Sequence, residues 1–64
     1  MNALTIYGGM TVRLEPTETN PKLQQYVQTY GTLLKWRTKE DGEEEGYVQF
    51  GTDCHWVDFA NLEG

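Results

Sequence analysis

Two short, aromatic-rich apolar runs flank a turn in the C-terminal third, which reads Gly46-Tyr47-Val48-Gln49-Phe50-Gly51-Thr52-Asp53-Cys54-His55-Trp56-Val57-Asp58-Phe59-Ala60-Asn61-Leu62-Glu63. The runs, residues 47–50 and 54–59, are typical of β-strands, and Gly51-Thr52-Asp53 between them has the composition of a tight turn. A strand-turn-strand unit of this size cannot bury its own apolar face. We therefore expect the rest of the chain to close over it, with a final 3₁₀ turn at residues 60–62.

Earlier segments predict further strands. Residues 10–15 alternate apolar and polar side chains, and Pro16 ends the run because proline cannot donate to a sheet ladder. Residues 32–38 form a second strand, which returns as 47–50 through a charged turn at residues 39–46. Residues 3–7 predict a short N-terminal strand or an extended arm.

One segment, residues 21–29, has the signals of a short helix. Asn20 suits the N-cap and Pro21 the first helical position, and Gly31 sits where a glycine commonly ends a helix. A helical face is formed by the i, i+3, i+4 and i+7 spacing of Leu23, Tyr26, Val27 and Tyr30. The competing interpretation is an extended loop that feeds a strand from Tyr26, because several of these residues favour strands.

Length and pattern together indicate a single domain over residues 1–64, with residues 1–9 as its N-terminal strand or arm. A chain this short has a thin core, since it buries only about 60% of the surface that it exposes when unfolded. Several short strands joined by tight turns predict a mainly β fold. We expect a small barrel or a strongly bent antiparallel sheet, with one short helix at about residues 21–29.

The order of the strand motifs resembles a known family. It runs Gly9-x-x-Val12-Arg13-Leu14, a long loop, Gly31-Thr32-Leu33-Leu34, a polar hairpin, Tyr47-Val48-Gln49-Phe50-Gly51 and Trp56-Val57-Asp58-Phe59-Ala60-Asn61-Leu62-Glu63. Over residues 9–63 it is similar to the SH3-like barrels of small accessory proteins, such as the E subunit of photosystem I and the S and O subunits of the photosynthetic NDH complex. The short helix and the acidic hairpin depart from those proteins. The resemblance implies an SH3-like barrel and a docking subunit without catalysis.

Charge is distributed unevenly along the chain. Residues 1–39 carry five basic and two acidic side chains (+3), and residues 40–64 carry eight acidic side chains and no Lys or Arg (−8), which gives the net −5. A net acidic domain repels phosphate backbones, so direct nucleic-acid binding is disfavoured. The acids are suited instead to a protein partner with a basic surface.

The N-terminus and the cysteine content bear on location. No basic residue precedes the short apolar run of residues 3–7, which is typical neither of a signal peptide nor of a membrane span. Cys54 is the only cysteine, so an internal disulfide is excluded. Both features predict a cytoplasmic protein without membrane insertion.

Cys54-His55 is the only pairing of a nucleophile with a base. Neighbouring residues of a strand point to opposite faces, so this thiol and imidazole are not expected to share a hydrogen bond. Asp53, Cys54, His55 and Asp58 fall short of the usual zinc ligand set and spacing. We therefore predict no enzyme activity, no metal and no cofactor.

The candidate binding residues are aromatic and acidic: Trp56, Tyr47, Tyr30, Glu40, Asp41, Glu43, Glu44 and Glu45. Trp and Tyr are enriched at the energetic centres of interfaces, and not all of the aromatic residues fit in so thin a core. The acidic run at residues 40–45 has three interpretations: a solvated hairpin tip, a docking patch for a basic partner, or a calcium loop, although the alternation of an EF-hand is missing.

Two functional hypotheses remain open. The first is a non-catalytic binding module or accessory subunit that docks on a partner protein through aromatics and the acidic hairpin. The second is an inhibitor encoded by a virus or a mobile element, whose acids mimic nucleic-acid phosphates and block a basic groove of a host protein. Homo-oligomerisation is compatible with both, because many aromatic residues share little core.

Overall fold

A single antiparallel sheet dominates the computed structural model, which describes residues 6–64. Its strands are β1 (Thr11–Leu14), β2 (Tyr30–Thr38), β3 (Glu44–Phe50), β4 (Asp53–Asp58) and β5 (Leu62–Glu63). Two 3₁₀ helices accompany it, η1 (Pro21–Tyr26) and η2 (Phe59–Asn61). The predicted mainly β fold is confirmed. The N-terminal strand predicted at residues 3–7 falls largely outside the described residues, and Ile6 and Tyr7 lie in no strand.

The sheet is open and strongly bent. Its order is β4-β3-β2-β1-β5, so β4 and β5 form opposite edges. A flat sheet of five strands is about 19 Å across, yet η2 carries the chain from β4 to β5 in three residues. That connection is possible only because the sheet curls. Of the two predicted architectures, the structure therefore has the bent antiparallel sheet and not the closed barrel.

The core lies on the concave side of the sheet. Its buried apolar residues come from every strand and from both 3₁₀ helices: Met10, Val12, Leu14, Leu23, Leu33, Val48, Phe50, Val57, Phe59 and Leu62. Gly46 of β3 also belongs to this layer. A Cβ atom there would lie 2.5 Å from Leu33 Cδ1 and 3.0 Å from Phe59 Cε1, so the missing side chain lets η2 approach the sheet.

The predicted helix is corrected in type and extent. It begins at Pro21 as expected, and the Asn20 side chain accepts a hydrogen bond from the Lys22 amide at 3.0 Å. However, it is a 3₁₀ helix that ends at Tyr26. Tyr30 instead pairs with β1, because sheet hydrogen bonds and packing outweigh the weak helical preference of this segment.

Gly31, predicted as the residue that ends the helix, lies within β2. A Cβ atom at this position would be 2.7 Å from a Val48 methyl group and 2.9 Å from the Phe50 ring. Such distances leave no room for a side chain. This glycine is therefore required by the close approach of β3 and not by a helix terminus.

The turn between β2 and β3 is shorter than the sequence predicts. The Lys39 amide donates a hydrogen bond to the Glu43 carbonyl at 2.7 Å and closes the turn. Gly42 within it has a left-handed φ of +88°. β3 already begins at Glu44. Further along the hairpin the register shifts between Leu33 and Lys35, which indicates a β-bulge at Leu34.

No helix within residues 6–64 combines the length and the hydrophobicity that a membrane crossing requires.

Candidate partner-binding face

Tyr47 and Trp56 lie side by side on the convex side of the sheet. They are register partners on β3 and β4, with ring centroids 5.0 Å apart and ring planes at 43°. Neighbouring residues of a strand point to opposite sides, and Val48 and Val57 are in the core, so these two rings point away from it. Both are half-buried.

Two cations of β2 flank the pair. Lys35 Nζ lies 5.2 Å from the Tyr47 ring centroid and 5.8 Å from that of Trp56. Arg37 Cζ lies 3.9 Å from the Trp56 centroid, which is a close cation–π contact. We call Lys35, Arg37, Tyr47 and Trp56 the aromatic face. The contacts restrain the Trp56 ring before any partner arrives, which lowers the entropy cost of binding.

These two cations were not predicted from the sequence. A usable signal is present, because Lys35 and Arg37 alternate along β2 and so share one side of the sheet. Placing them over Trp56, however, requires the register. Lys35 is opposite Tyr47 only because the bulge at Leu34 shifts the pairing by one residue.

Ion pairs hold Arg37 of this face and the neighbouring Lys39. Arg37 Nε is 2.6 Å from Glu45 Oε1, and Lys39 Nζ is 2.7 Å from Asp58 Oδ1. The hydrogen bond to Asp58 raises the pKa of Lys39 above the ordinary value of a lysine. Glu45 was predicted as part of the exposed acidic hairpin, and that placement is wrong, because Glu45 is only 9% exposed. Its burial in β3 is compatible with its charge because Arg37 pairs with it.

The remaining acids of the hairpin are exposed, as expected. Glu40, Asp41, Glu43 and Glu44 form what we call the acidic turn, and none of them has an ion pair within residues 6–64. Asp41 Oδ1 accepts a hydrogen bond from the Glu43 amide at 2.9 Å, which shapes the turn. The acidic turn lies at one end of the hairpin that carries the aromatic face.

The placement of the acids bears on the two functional hypotheses. A phosphate mimic needs free acids spread over one face. On the convex side of β3 and β4 the acids are Glu45 and Asp58, and both are paired with cations. The unpaired charge is concentrated in the acidic turn, which favours the docking patch.

Tyr30, also predicted for the binding surface, is set apart. It is 66% exposed at the start of β2, where it is opposite Arg13 of β1. Tyr30 points to the convex side, but five positions along β2 separate it from Lys35, or about 15 Å. The structure thus brings Trp56, Tyr47 and the acidic turn to one end of the sheet, and Tyr30 to the other.

A second exposed apolar area lies on the other side of the hairpin. Trp36 is opposite Gly46 and is 42% exposed, because β2 extends beyond the core at this point. With Gly8, Leu34 and Lys35 it lines a shallow cavity of about 320 Å³. Trp36 is therefore more exposed than Trp56 and points to the other side of the sheet.

Cys54 and His55 point to opposite sides of β4, as predicted. Their register partners are Gln49, which is exposed, and Val48, which is in the core. The His55 ring contacts Tyr26, with centroids 5.5 Å apart. Within residues 6–64, no three side chains of His, Cys, Asp or Glu are grouped so as to hold a metal ion.

No model of a protein family, no curated protein and no solved structure matches this chain. The resemblance to the small accessory subunits of photosynthetic complexes therefore stays a prediction from sequence. What the chain can bind is inferred from its own surface, chiefly from the aromatic face and the acidic turn.

Proposed function

We propose that this protein is a non-catalytic binding module that docks on a partner protein through the aromatic face. The acidic turn attracts and orients a basic surface of the partner. Trp56 and Tyr47 then become buried against it. Lys35 and Arg37 hold the Tyr47 and Trp56 rings in position for this contact.

The observation that carries the proposal is the placement of the tryptophans. Within residues 6–64 the buried apolar core contains neither Trp nor Tyr. A domain with so thin a core would gain stability from burying a ring as large as that of Trp56. The chain keeps it on the convex side instead, next to Tyr47 and Arg37. Trp, Tyr and Arg are the residue types that dominate binding energy at protein interfaces.

The electrostatics support a basic protein partner. Arg37 of the aromatic face and Lys39 beside it are balanced by Glu45 and Asp58. Within residues 6–64, neither Lys35 nor the acidic turn has an ion pair. Uncompensated exposed charge acts over long range and raises the rate of association with an oppositely charged surface. The balanced pairs limit the desolvation cost at the centre of the contact.

Affinity capture with three baits tests the proposal. Wild-type protein, Trp56→Ala and Trp36→Ala are immobilised at equal density and exposed to lysate of the organism that encodes the chain. We expect one protein to be retained by the wild type and by Trp36→Ala and to be lost with Trp56→Ala. Equal retention by all three baits, or loss with Trp36→Ala alone, contradicts the proposal.

A further inference from the structure

β4 has a free edge. It is the end strand of the sheet, and within residues 6–64 it pairs with β3 alone. Among the described residues 6–64, no backbone hydrogen bond outside the strand ladders involves residues 53–58. Such an edge offers a row of N–H and C=O groups to which another extended chain can add.

A groove of about 610 Å³ adjoins this edge at its Asp53 end. One wall is η1, through Lys22, Gln25 and Tyr26, and the other is the start of β4 together with Tyr47 of the aromatic face. Tyr26 is held firmly in place. Its ring stacks on Phe50 at a centroid distance of 4.7 Å, and its hydroxyl donates a hydrogen bond to Asp53. An extended chain beside β4 would therefore meet a preformed wall as well as backbone partners.

Asp53, the acid in the lining of the groove, is suited to a basic group of the occupant. The carboxylate of Asp53 accepts from Tyr26, but within residues 6–64 it has no ion pair. Tyr26 and Tyr47 add two aromatic rings, which attract cations. Lys22 is a cation in the η1 wall, and it lies beyond ion-pair distance of Asp53. A Lys or Arg of the partner can pair with Asp53 in this groove.

A second copy of this chain is a poor occupant. If two β4 edges paired antiparallel in full register, Asp53 of each copy would face Asp58 of the other. Like charges directly opposite one another destabilise a strand pair. Both copies would also carry the same net charge of −5.

We propose that the free edge of β4 and its groove bind an extended, basic segment of the partner protein by strand addition. The segment hydrogen-bonds to the β4 backbone and places a Lys or Arg on Asp53. This proposal rests on the proposed function. It adds that the partner carries an extended basic segment next to the surface that contacts the aromatic face.

Peptide selection tests this proposal. A random peptide library displayed on phage is selected on the wild-type protein, and the enriched peptides are synthesised. We expect a Lys or Arg among β-branched residues, and shifts of the amide resonances of β4 and η1 on binding. N-methylation of alternate peptide residues on the paired edge should weaken binding at least about tenfold, because it removes the ladder donors.

Protein variants complete the test. Asp53→Asn keeps an oxygen for the Tyr26 hydroxyl but removes the charge, and it should weaken peptide binding about tenfold. Glu63→Gln, the same charge change on the opposite edge, should leave affinity within about twofold. Failure to enrich peptides, enrichment of acidic ones, resonance shifts away from β4, or full binding by Asp53→Asn overturns the proposal.

The two proposals fail in different ways. If the captured partner is lost with Trp56→Ala but retained by Asp53→Asn, the aromatic face stands and strand addition is overturned. If Asp53→Asn loses the partner while Trp56→Ala keeps it, the groove is the docking site and the aromatic face is not.

Discussion

The guanidinium carbon of Arg37 lies 3.9 Å from the centroid of the Trp56 ring, while its Nε is 2.6 Å from Glu45. One side chain thus joins three strands on the convex side of the sheet. Arg37 covers part of Trp56, which lies outside the core, and it neutralises Glu45, which is almost fully buried. The aromatic face owes its fixed geometry to this arrangement.

Removing Arg37 should cost more stability than removing Lys39. Arg37→Ala leaves Glu45 buried without its partner and uncovers Trp56, so we expect a loss of about 1–2 kcal/mol in the free energy of unfolding. Lys39→Ala breaks a more exposed pair and should cost less than Arg37→Ala. Urea denaturation of both variants measures the difference. Equal costs would show that the contacts of Arg37 add nothing beyond an ordinary surface ion pair.

The acidic turn should control association with the partner. Glu43→Gln with Glu44→Gln changes the net charge from −5 to −3, and we expect a several-fold lower association rate with an almost unchanged dissociation rate. The effect should fade as salt rises, since attraction is screened over about 10 Å at 0.1 M. Glu45 is left intact because it is buried against Arg37.

A matched control separates local from global charge. Thr19→Lys with Ala60→Lys also gives −3, at exposed positions outside the acidic turn. Surface plasmon resonance on the captured partner should record the wild-type association rate for this control. Equal slowing by both double variants would assign the effect to net charge and not to the turn.

Gly46→Ala should destabilise the fold. The added Cβ would lie 2.5 Å from Leu33 and 3.0 Å from Phe59, both in the core, so we expect a loss of about 1–3 kcal/mol. Gly8→Ala is the control, because its Cβ would be 3.5 Å from the nearest atom, an ordinary contact. That change should stay within about 0.5 kcal/mol. Thermal denaturation distinguishes them, and equal midpoints would contradict the close approach of η2 to β3.

Alkaline pH should loosen η1 from β4. The hydrogen bond to Asp53 raises the pKa of Tyr26 above its ordinary value. A raised pKa in the folded state contributes stability that is fully present below about pH 10 and is lost as pH rises through the folded pKa. The raised pKa of Lys39 acts in the same direction. Wild-type stability should therefore fall above about pH 10.

Tyr26→Phe isolates the contribution of Tyr26. This variant should be less stable than the wild type at neutral pH, and its stability should fall less steeply above about pH 10. Tyr30→Phe, at an exposed tyrosine of β2, should keep the wild-type slope. Urea denaturation across this pH range provides the measurement. If the free energy of unfolding falls equally with pH for wild type and Tyr26→Phe, the Tyr26–Asp53 hydrogen bond does not contribute to this pH dependence.

Local signals in the sequence predict much of the fold. Alternation around Val12 and Val48 places two strands, and the Asn20-Pro21 pair places the start of η1. These features depend on a few neighbouring residues. The helix predicted over residues 21–29 is a 3₁₀ helix that ends at Tyr26, because Tyr30 and Gly31 are committed to β2 by partners distant in sequence.

The site depends more on such distant contacts. Residue type and charge predict Trp56, Tyr47 and all four acids of the acidic turn as candidate binding residues. The burial of Glu45 and the positions of Lys35 and Arg37 were not predicted, because they follow from the β2–β3 register and its bulge. The free edge of β4 likewise depends on strand order, which local patterns do not specify.

The most direct test of the central claim measures the stability and the partner dissociation of Trp56→Ala together, with Trp36→Ala as the control. As a half-buried anchor outside the core, Trp56 should cost about 1–2 kcal/mol of unfolding free energy when it is lost. Its loss should also raise the dissociation rate about 30-fold, equivalent to about 2 kcal/mol. Trp36→Ala should leave that rate unchanged. A Trp56→Ala protein that unfolds, or one that stays folded and releases the partner at the wild-type rate, would contradict the account.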